Sequence, residues 1–163
     1  MANPTCLYPE KKALPRHLQQ DLNTLLGEVR NWRAKNSREA GYYKFVAAGL
    51  NFMNEVGPGG PDGGIGRKRV DLFKKYETEE LEYRVAIEVE TSTIENAYND
   101  LLKIMELLKR DLVDYGIVIF VQNNRPSKPR LTKDQITNNF AKALEKVLAD
   151  YRGCLFLYHI DPT

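Results

Sequence analysis

Glu82-Tyr-Arg-Val-Ala-Ile-Glu-Val-Glu90 is a nine-residue segment in which charged and polar residues flank an apolar centre. Its apolar centre and period-two pattern are typical of a β-strand. A second stretch of the same kind, Arg69-Val-Asp-Leu-Phe-Lys-Lys-Tyr76, precedes it, and polar residues around Glu77 to Glu80 separate the two. The pair predicts two neighbouring strands joined by a turn.

The segments around this pair of strands predict four helices and two further strands. The helices are expected at Leu18 to Trp32 (after Pro15), Ser37 to Glu55, Thr93 to Arg110 and Thr132 to Tyr151. Two of them have the spacing of a capping box at their start: Asn36 with Glu39 before the second helix, and Ser92 with Glu95 before the third. The strands are expected at Gly116 to Val121, an apolar run typical of a strand buried on both faces, and at Cys154 to Tyr158. The order α-α-β-β-α-β-α-β predicts an α/β fold with a mixed sheet flanked by helices.

Length and composition indicate an ordinary globular protein with a single domain, residues 1–163. No segment approaches the roughly 18 apolar residues that a membrane helix needs, and the N-terminus has no secretory pattern. With only two cysteines, no Cys-x-x-Cys spacing and two histidines, zinc sites are disfavoured and a cytoplasmic location is expected. The net charge of +2 means that any contact with DNA has to come from a local basic patch.

Three acids fall inside otherwise apolar strands. Glu88 and Glu90 are two residues apart and therefore point to the same face of their strand, and pairing with the neighbouring strand brings Asp71 beside them. Carboxylates gathered in this way repel each other unless a cation is present, and their hard oxygens suit Mg²⁺. The same alternation also fits the solvated face of an exposed strand.

The neighbourhood of these acids resembles the BamHI-like restriction endonucleases, a branch of the PD-(D/E)XK nuclease superfamily. The resemblance covers Arg69-Val-Asp-Leu-Phe-Lys-Lys, Val85-Ala-Ile-Glu-Val-Glu-Thr-Ser and Asp114-Tyr-Gly-Ile-Val-Ile-Phe, and Glu88-Val-Glu90 matches the Glu-X-Glu of this branch. It extends to Leu50-Asn-Phe-Met-Asn-Glu55, similar to a helix end that supplies a further acid, and to the segment from Leu131 to Phe140. It implies a restriction-endonuclease-like α/β fold.

The resemblance also implies roles for individual residues. Asp71 and Glu88 are expected to bind Mg²⁺ with the backbone carbonyl of Val89, and Glu90 is expected to orient or deprotonate the attacking water. Glu55 is expected to bind a metal or fix the water network, although a glutamate beside a Gly-Pro loop also fits a plain helix end. Ser92 and Thr93, which follow Glu90 and its strand, are assigned to DNA binding.

The segment that follows Asn123 is the candidate for reading DNA. The resemblance assigns base contacts to Lys133, Asp134 and Gln135 at a helix start, where the family sequence differs. A capping box formed by Thr132 and Gln135 fits the same spacing. The cations of the preceding loop, Arg125, Lys128 and Arg130, suit phosphates, although such a run is also typical of a solvated loop.

The sequence thus predicts a type II restriction endonuclease of a restriction-modification system, a homodimer that hydrolyses duplex DNA at a palindromic site with Mg²⁺. Two alternatives stay open. One is a repair or junction nuclease on the same fold, and the other is a non-catalytic DNA-binding protein on a decayed nuclease fold.

Overall fold

A six-stranded mixed sheet forms the centre of the structure, a computed structural model that describes residues 4–9, 13–34, 41–56, 69–123, 129–141, 145–151 and 153–162. The strands are β1 (Thr5–Tyr8), β2 (Met53–Val56), β3 (Val70–Glu77), β4 (Glu82–Glu90), β5 (Tyr115–Val121) and β6 (Leu155–Ile160). The helices are α1 (Arg16–Ala34), α2 (Gly41–Gly49), α3 (Ile94–Lys109), α4 (Lys133–Ile136), which continues into a π-helical segment (Thr137–Ala141), and α5 (Glu145–Ala149).

The strands are arranged in the order β1-β6-β5-β4-β3-β2. The three central strands, β4, β5 and β6, run parallel, as expected for strands joined by helical crossovers. Strand β3 pairs antiparallel with β4, and the outer strands β1 and β2 are also antiparallel to their neighbours. The predicted α/β class, with a mixed sheet flanked by helices, is confirmed.

Helices cover both faces of the sheet. On one face α1 and α2 bury an apolar stripe, which includes Leu18, Leu22 and Leu25, against Ile87 of β4 and Ile117 of β5. On the other face α3 and the helices after β5 pack against β4, β5 and β6 through residues that include Leu101, Ile104, Phe120, Phe140 and Leu157. Residues of β4 alternate between these two cores, so Glu88 and Glu90 belong to the strand face that carries α3.

The predicted helix from Ser37 to Glu55 is wrong at its C-terminal end, because α2 ends at Gly49 and β2 follows. Asn51 adopts a left-handed conformation (φ 64°), its N–H donates to Ala48 O at 3.0 Å, and Phe52 N–H donates to Ala47 O at 2.9 Å. These two bonds form a Schellman motif with asparagine in the place usually taken by glycine. Glu55 therefore lies on a strand and does not end a helix. The predicted cap at Asn36 and Glu39 lies outside the described residues.

Two other elements differ from the sequence-based expectation. Strand β1 was not predicted, because it is only four residues long, is half-buried throughout and is bracketed by Pro4 and Pro9. The helix expected from Thr132 to Tyr151 contains the π-helical segment, and residues 142–144 lie outside the description. At this segment Asn139 Nδ2 donates to Gln135 O at 2.7 Å, a side-chain bond that competes with the helical ladder.

Candidate active site

Asp71 lies where the regular pairing of β3 with β4 stops. The register runs from Glu77 opposite Glu82 to Leu72 opposite Ile87. Beyond that pair, the backbone N–H of Val89 donates to Asp71 Oδ2 at 2.9 Å. A side-chain carboxylate thus takes the position of a backbone acceptor, and this bond fixes Asp71 next to the end of β4 that carries Glu88.

Glu55 occupies a matching position on the other side of β3. Its neighbours Asn54 and Val56 pair with Leu72 and Val70, so the register places Glu55 opposite Asp71. Acids therefore stand next to one another on three adjacent strands: Glu55 on β2, Asp71 on β3 and Glu88 on β4. The resemblance expected Glu55 at a helix end, and the structure has it on strand β2.

Glu88 is buried, with 2% of its surface exposed. Burial, followed by the negative charges of Asp71 and Asp100, raises the pKa of Glu88 to about 8, and Lys103 opposes this shift. A carboxyl whose pKa is shifted this far by burial and a specific neighbour is typical of functional sites. The solvated strand face considered as the alternative does not apply to Glu88.

Helix α3 adds two residues that the sequence analysis missed. Lys103 Nζ lies 2.5 Å from Glu88 Oε1 and 3.1 Å from Asp100 Oδ1. Burial first, and also the nearby carboxylate of Glu90, raises the pKa of Asp100 to about 6. Asp100 and Lys103 are three residues apart and stand next to the buried residues Leu101 and Ile104. Residues at this spacing share one side of a helix, and this was the sequence pattern that could have pointed to the pair.

Glu90 is held by the turn that follows β4. Its Oε1 accepts hydrogen bonds from the backbone N–H of Ser92 and, at 2.5 Å, from Ser92 Oγ. Asn96 Nδ2 in turn donates to Ser92 Oγ at 2.8 Å. The N-cap of α3 is Thr93, whose Oγ1 accepts from Asn96 N at 3.2 Å, so the predicted capping box of Ser92 with Glu95 is wrong. Ser92 and Thr93 both have structural partners at this point.

The donor types of the site fit Mg²⁺. In the described part of the chain, no three His, Cys, Asp or Glu residues are arranged to hold a metal ion together. Mg²⁺ commonly keeps several waters and uses only one or two protein carboxylates together with substrate phosphates. Asp71 and Glu88, on neighbouring strands, meet that smaller requirement.

The segment predicted to read DNA lies at the same edge of the sheet. Asn123 and Arg130 close the loop between them with two backbone bonds of 2.9 and 3.0 Å, and Asn123 Nδ2 donates to Thr91 O at 3.5 Å, just after β4. Arg130 is exposed. The pKa of Glu95 is lowered by its own backbone N–H, by Thr93 and by the charge of Arg130, which places Arg130 near the start of α3. Arg125 and Lys128 lie outside the described residues.

A capping box is present at the start of α4. Gln135 N donates to Thr132 Oγ1 at 3.2 Å, and Thr132 N donates to Gln135 Oε1 at 3.0 Å. Just before it, Leu131 is fully buried with φ 55°, a conformation that is unusual for leucine, and its carbonyl accepts from His159 Nε2 at 2.9 Å. Lys133 and Asp134 are exposed at the start of the helix. The cap engages the amide oxygen of Gln135 and not its amide nitrogen.

Neither models of known protein families nor curated proteins match this chain. None of the helices in the described segments is long and apolar enough to cross a membrane.

Proposed function

We propose that this protein is an Mg²⁺-dependent endonuclease that hydrolyses duplex DNA at a specific site. The observation that carries the proposal is the buried carboxylate of Glu88 next to Asp71 on the neighbouring strand, with Glu55 at the matching position of β2. Burying a carboxylate beside other acids is unfavourable, and proteins that tolerate the cost commonly use the acids for metal binding or catalysis.

The charges around Glu88 favour a bound cation. Four carboxylates, those of Asp71, Glu88, Glu90 and Asp100, are linked through one another's charges and hydrogen bonds. Among the described residues, the ammonium of Lys103 pairs with two of them, Glu88 and Asp100. This excess of negative charge would repel a DNA phosphate. A divalent cation reverses the sign of the interaction and suits oxygen ligands. The arrangement is therefore better suited to metal-assisted phosphodiester chemistry than to direct binding of DNA.

Each residue has a distinct task in this proposal. Asp71 and Glu88, with the carbonyl of Val89, would hold the metal, and Glu55, opposite Asp71 in the register of β2, would assist. When bound, Mg²⁺ supplies a Lewis acid for the scissile phosphate and lowers the pKa of a coordinated water. Glu90, kept in one orientation by Ser92, would position the attacking water and accept its proton.

The position of the site supports DNA as the substrate. Glu88 and Glu90 lie at the carboxyl end of β4, and in open α/β sheets ligands bind outside the carboxyl ends of the strands. Arg130, Lys133, Asp134 and Gln135 lie at the same edge, where Arg130 suits phosphates and the others suit base edges. A homodimer would place two such edges on the two halves of a palindromic site.

One observation favours a second candidate, a non-catalytic DNA-binding protein on a decayed nuclease fold. The ammonium of Lys103 already contacts Glu88 and Asp100, so the site has a counter-ion without a metal.

Incubation with supercoiled plasmid separates these functions. Wild-type protein should convert the plasmid into discrete fragments with Mg²⁺ and leave it intact with EDTA. A smear of fragments, or cutting confined to branched or damaged DNA, would argue against site-specific restriction and for a repair or junction nuclease. Intact plasmid that is retarded in a gel would support the binding protein.

A further inference from the structure

Lys103 reaches the acids of the site from the helix that crosses over them. Its Nζ lies 2.5 Å from Glu88 Oε1 and 3.1 Å from Asp100 Oδ1, and only 22% of its side chain is exposed. The two carboxylates that it contacts are 3% and 17% exposed. An ammonium is therefore already bound to one of the oxygens that a metal would need.

We propose that Lys103 is the resident counter-ion of this site, and that a divalent cation binds by displacing the ammonium of Lys103 from Glu88. The inference rests on the metal site proposed above and adds to it a competitor built into the fold.

The competition follows from distance and charge. The ammonium and a cation coordinated by Glu88 would use the same carboxylate, so they would be only a few ångströms apart. Two positive charges at that separation in a partly buried site repel each other strongly. Cation binding therefore requires the ammonium to move away.

Helix α3 also provides a second carboxylate that can bind the displaced ammonium. Asp100 is one turn before Lys103 on α3, and it is already the second partner of the ammonium. The four-carbon stem of lysine is flexible, so the ammonium can leave Glu88 and keep Asp100. The displaced charge stays beside the site and is not left buried without a partner.

This arrangement predicts how the metal-free protein behaves. Without a divalent cation, Lys103 keeps the carboxylate of Glu88 paired and the site closed to weak binders. A monovalent ion carries the same charge as the ammonium and gains nothing by replacing it, whereas Mg²⁺ carries twice the charge. Lys103 would thus set the concentration of Mg²⁺ at which the site fills.

The test is calorimetric titration of Mg²⁺ into wild-type protein and four variants, without DNA. Lys103→Met should bind Mg²⁺ about tenfold more tightly than the wild type, because the competing charge is gone. Lys103→Gln should show the same direction of change and serves if the methionine variant does not fold. Lys103→Arg keeps the charge and should bind as the wild type does. Lys109→Met removes an exposed lysine of the same helix, and its affinity should also be unchanged.

The outcomes separate this inference from the proposed function. If the wild type cuts DNA with Mg²⁺ but Lys103→Met and Lys103→Gln bind Mg²⁺ no more tightly, the inference is wrong and the nuclease stands. If both variants bind more tightly but the wild type does not cut any DNA, the inference stands and the nuclease fails. If neither wild type nor variants bind Mg²⁺, both are wrong.

Discussion

At the scale of single residues, the carboxylate of Glu88 is subject to opposing effects. Burial and the charges of Asp71 and Asp100 favour its protonated form, whereas Lys103 favours the ionised form. The result is a pKa of about 8, so the folded protein resists the ionisation that metal binding requires. Removing the charge from this residue should therefore stabilise the metal-free fold while it destroys the site.

We predict that Glu88→Gln increases the free energy of unfolding of the metal-free protein. In the folded state the pKa of Glu88 lies above its value of 4.5 in the unfolded chain, so wild-type stability falls as the pH rises from about 4.5 through about 8. Glutamine keeps the shape without the charge, and Lys103 keeps Asp100 as a partner. The gain should be at least about 1 kcal/mol at pH 8 and close to zero near pH 5.

Denaturant unfolding in EDTA at both pH values measures this difference. Glu82→Gln, on the same strand but exposed, is the control and should show no such dependence on pH. A Glu88→Gln variant that is no more stable than the wild type at pH 8 would mean that ionising Glu88 does not destabilise the folded protein.

The sequence predicts part of this site and not the rest, for a physical reason. Asp71, Glu88 and Glu90 could be placed because alternation along a strand depends only on neighbouring residues. Asp100 and Lys103 could not, since their role depends on how α3 crosses over β4, which no local pattern specifies. The predicted N-cap of α3 was one residue too early, because serine and threonine are both good N-caps. The side chain of Ser92 is hydrogen-bonded to Glu90, and Thr93 caps the helix.

At the scale of elements, the contact of α3 with β5 positions the residues that α3 contributes. Gly116 on β5 faces this helix, and a Cβ added to Gly116 would lie 2.2 Å from Ile104 Cγ2 and 3.2 Å from Leu108 Cδ1. The helix can approach the sheet this closely only because the strand has no side chain at this position. The same approach brings Lys103 within reach of Glu88.

Gly116→Ala should therefore destabilise the fold by about 1–3 kcal/mol, because the added methyl group overpacks a tight contact. Gly27→Ala in α1 is the matched control: its Cβ meets nothing within 4 Å, and alanine in a helix should add up to about 1 kcal/mol of stability. Thermal unfolding compares the two variants. Equal effects on stability would mean that the close contact of α3 with Gly116 is not important for the fold.

The elements themselves could be predicted to different degrees. Strands β3, β4 and β5 and helices α1 and α3 have long, regular patterns, and the structure has them within a few residues of the expected bounds. The end of α2 was missed because Asn51, not glycine, adopts the left-handed conformation that stops the helix. Strand β2 and the register that places Glu55 opposite Asp71 depend on pairing with β3, which is a tertiary contact.

At the scale of the whole molecule, the acids and the segment proposed to read DNA lie at one edge of the sheet, at the carboxyl ends of the parallel strands. Asn123 connects the end of β5 to Thr91 after β4, and Arg130 lies near Glu95 at the start of α3. The exposed side chain of Arg130 thus lies near the start of α3, the helix that follows Glu90. A duplex placed on this edge would meet phosphate contacts and base contacts together with the proposed chemistry.

Substitutions in this segment should separate base reading from phosphate binding. Gln135→Ala should cost roughly 1–3 kcal/mol of preference for the cognate base pair, whereas Arg130→Ala should weaken binding to all sequences and reduce its salt dependence. Thr132→Ala is the matched control, because it breaks the same capping box without removing the amide of Gln135. Titration against cognate and scrambled duplexes reads out both effects. If Thr132→Ala and Gln135→Ala lose the same preference, the segment is a helix cap and does not read bases.

The rate of plasmid cleavage as a function of Mg²⁺ concentration tests directly whether Glu88 belongs to a divalent-cation site for DNA hydrolysis. Wild type and Glu82→Gln should cut equally fast with the same Mg²⁺ dependence, because Glu82 is exposed at the far end of β4. Glu88→Gln should remain folded, bind DNA at least as well and cut at least about 100-fold more slowly at every Mg²⁺ concentration. Cleavage by Glu88→Gln at the wild-type rate, or wild-type cleavage that persists in EDTA, would contradict the account.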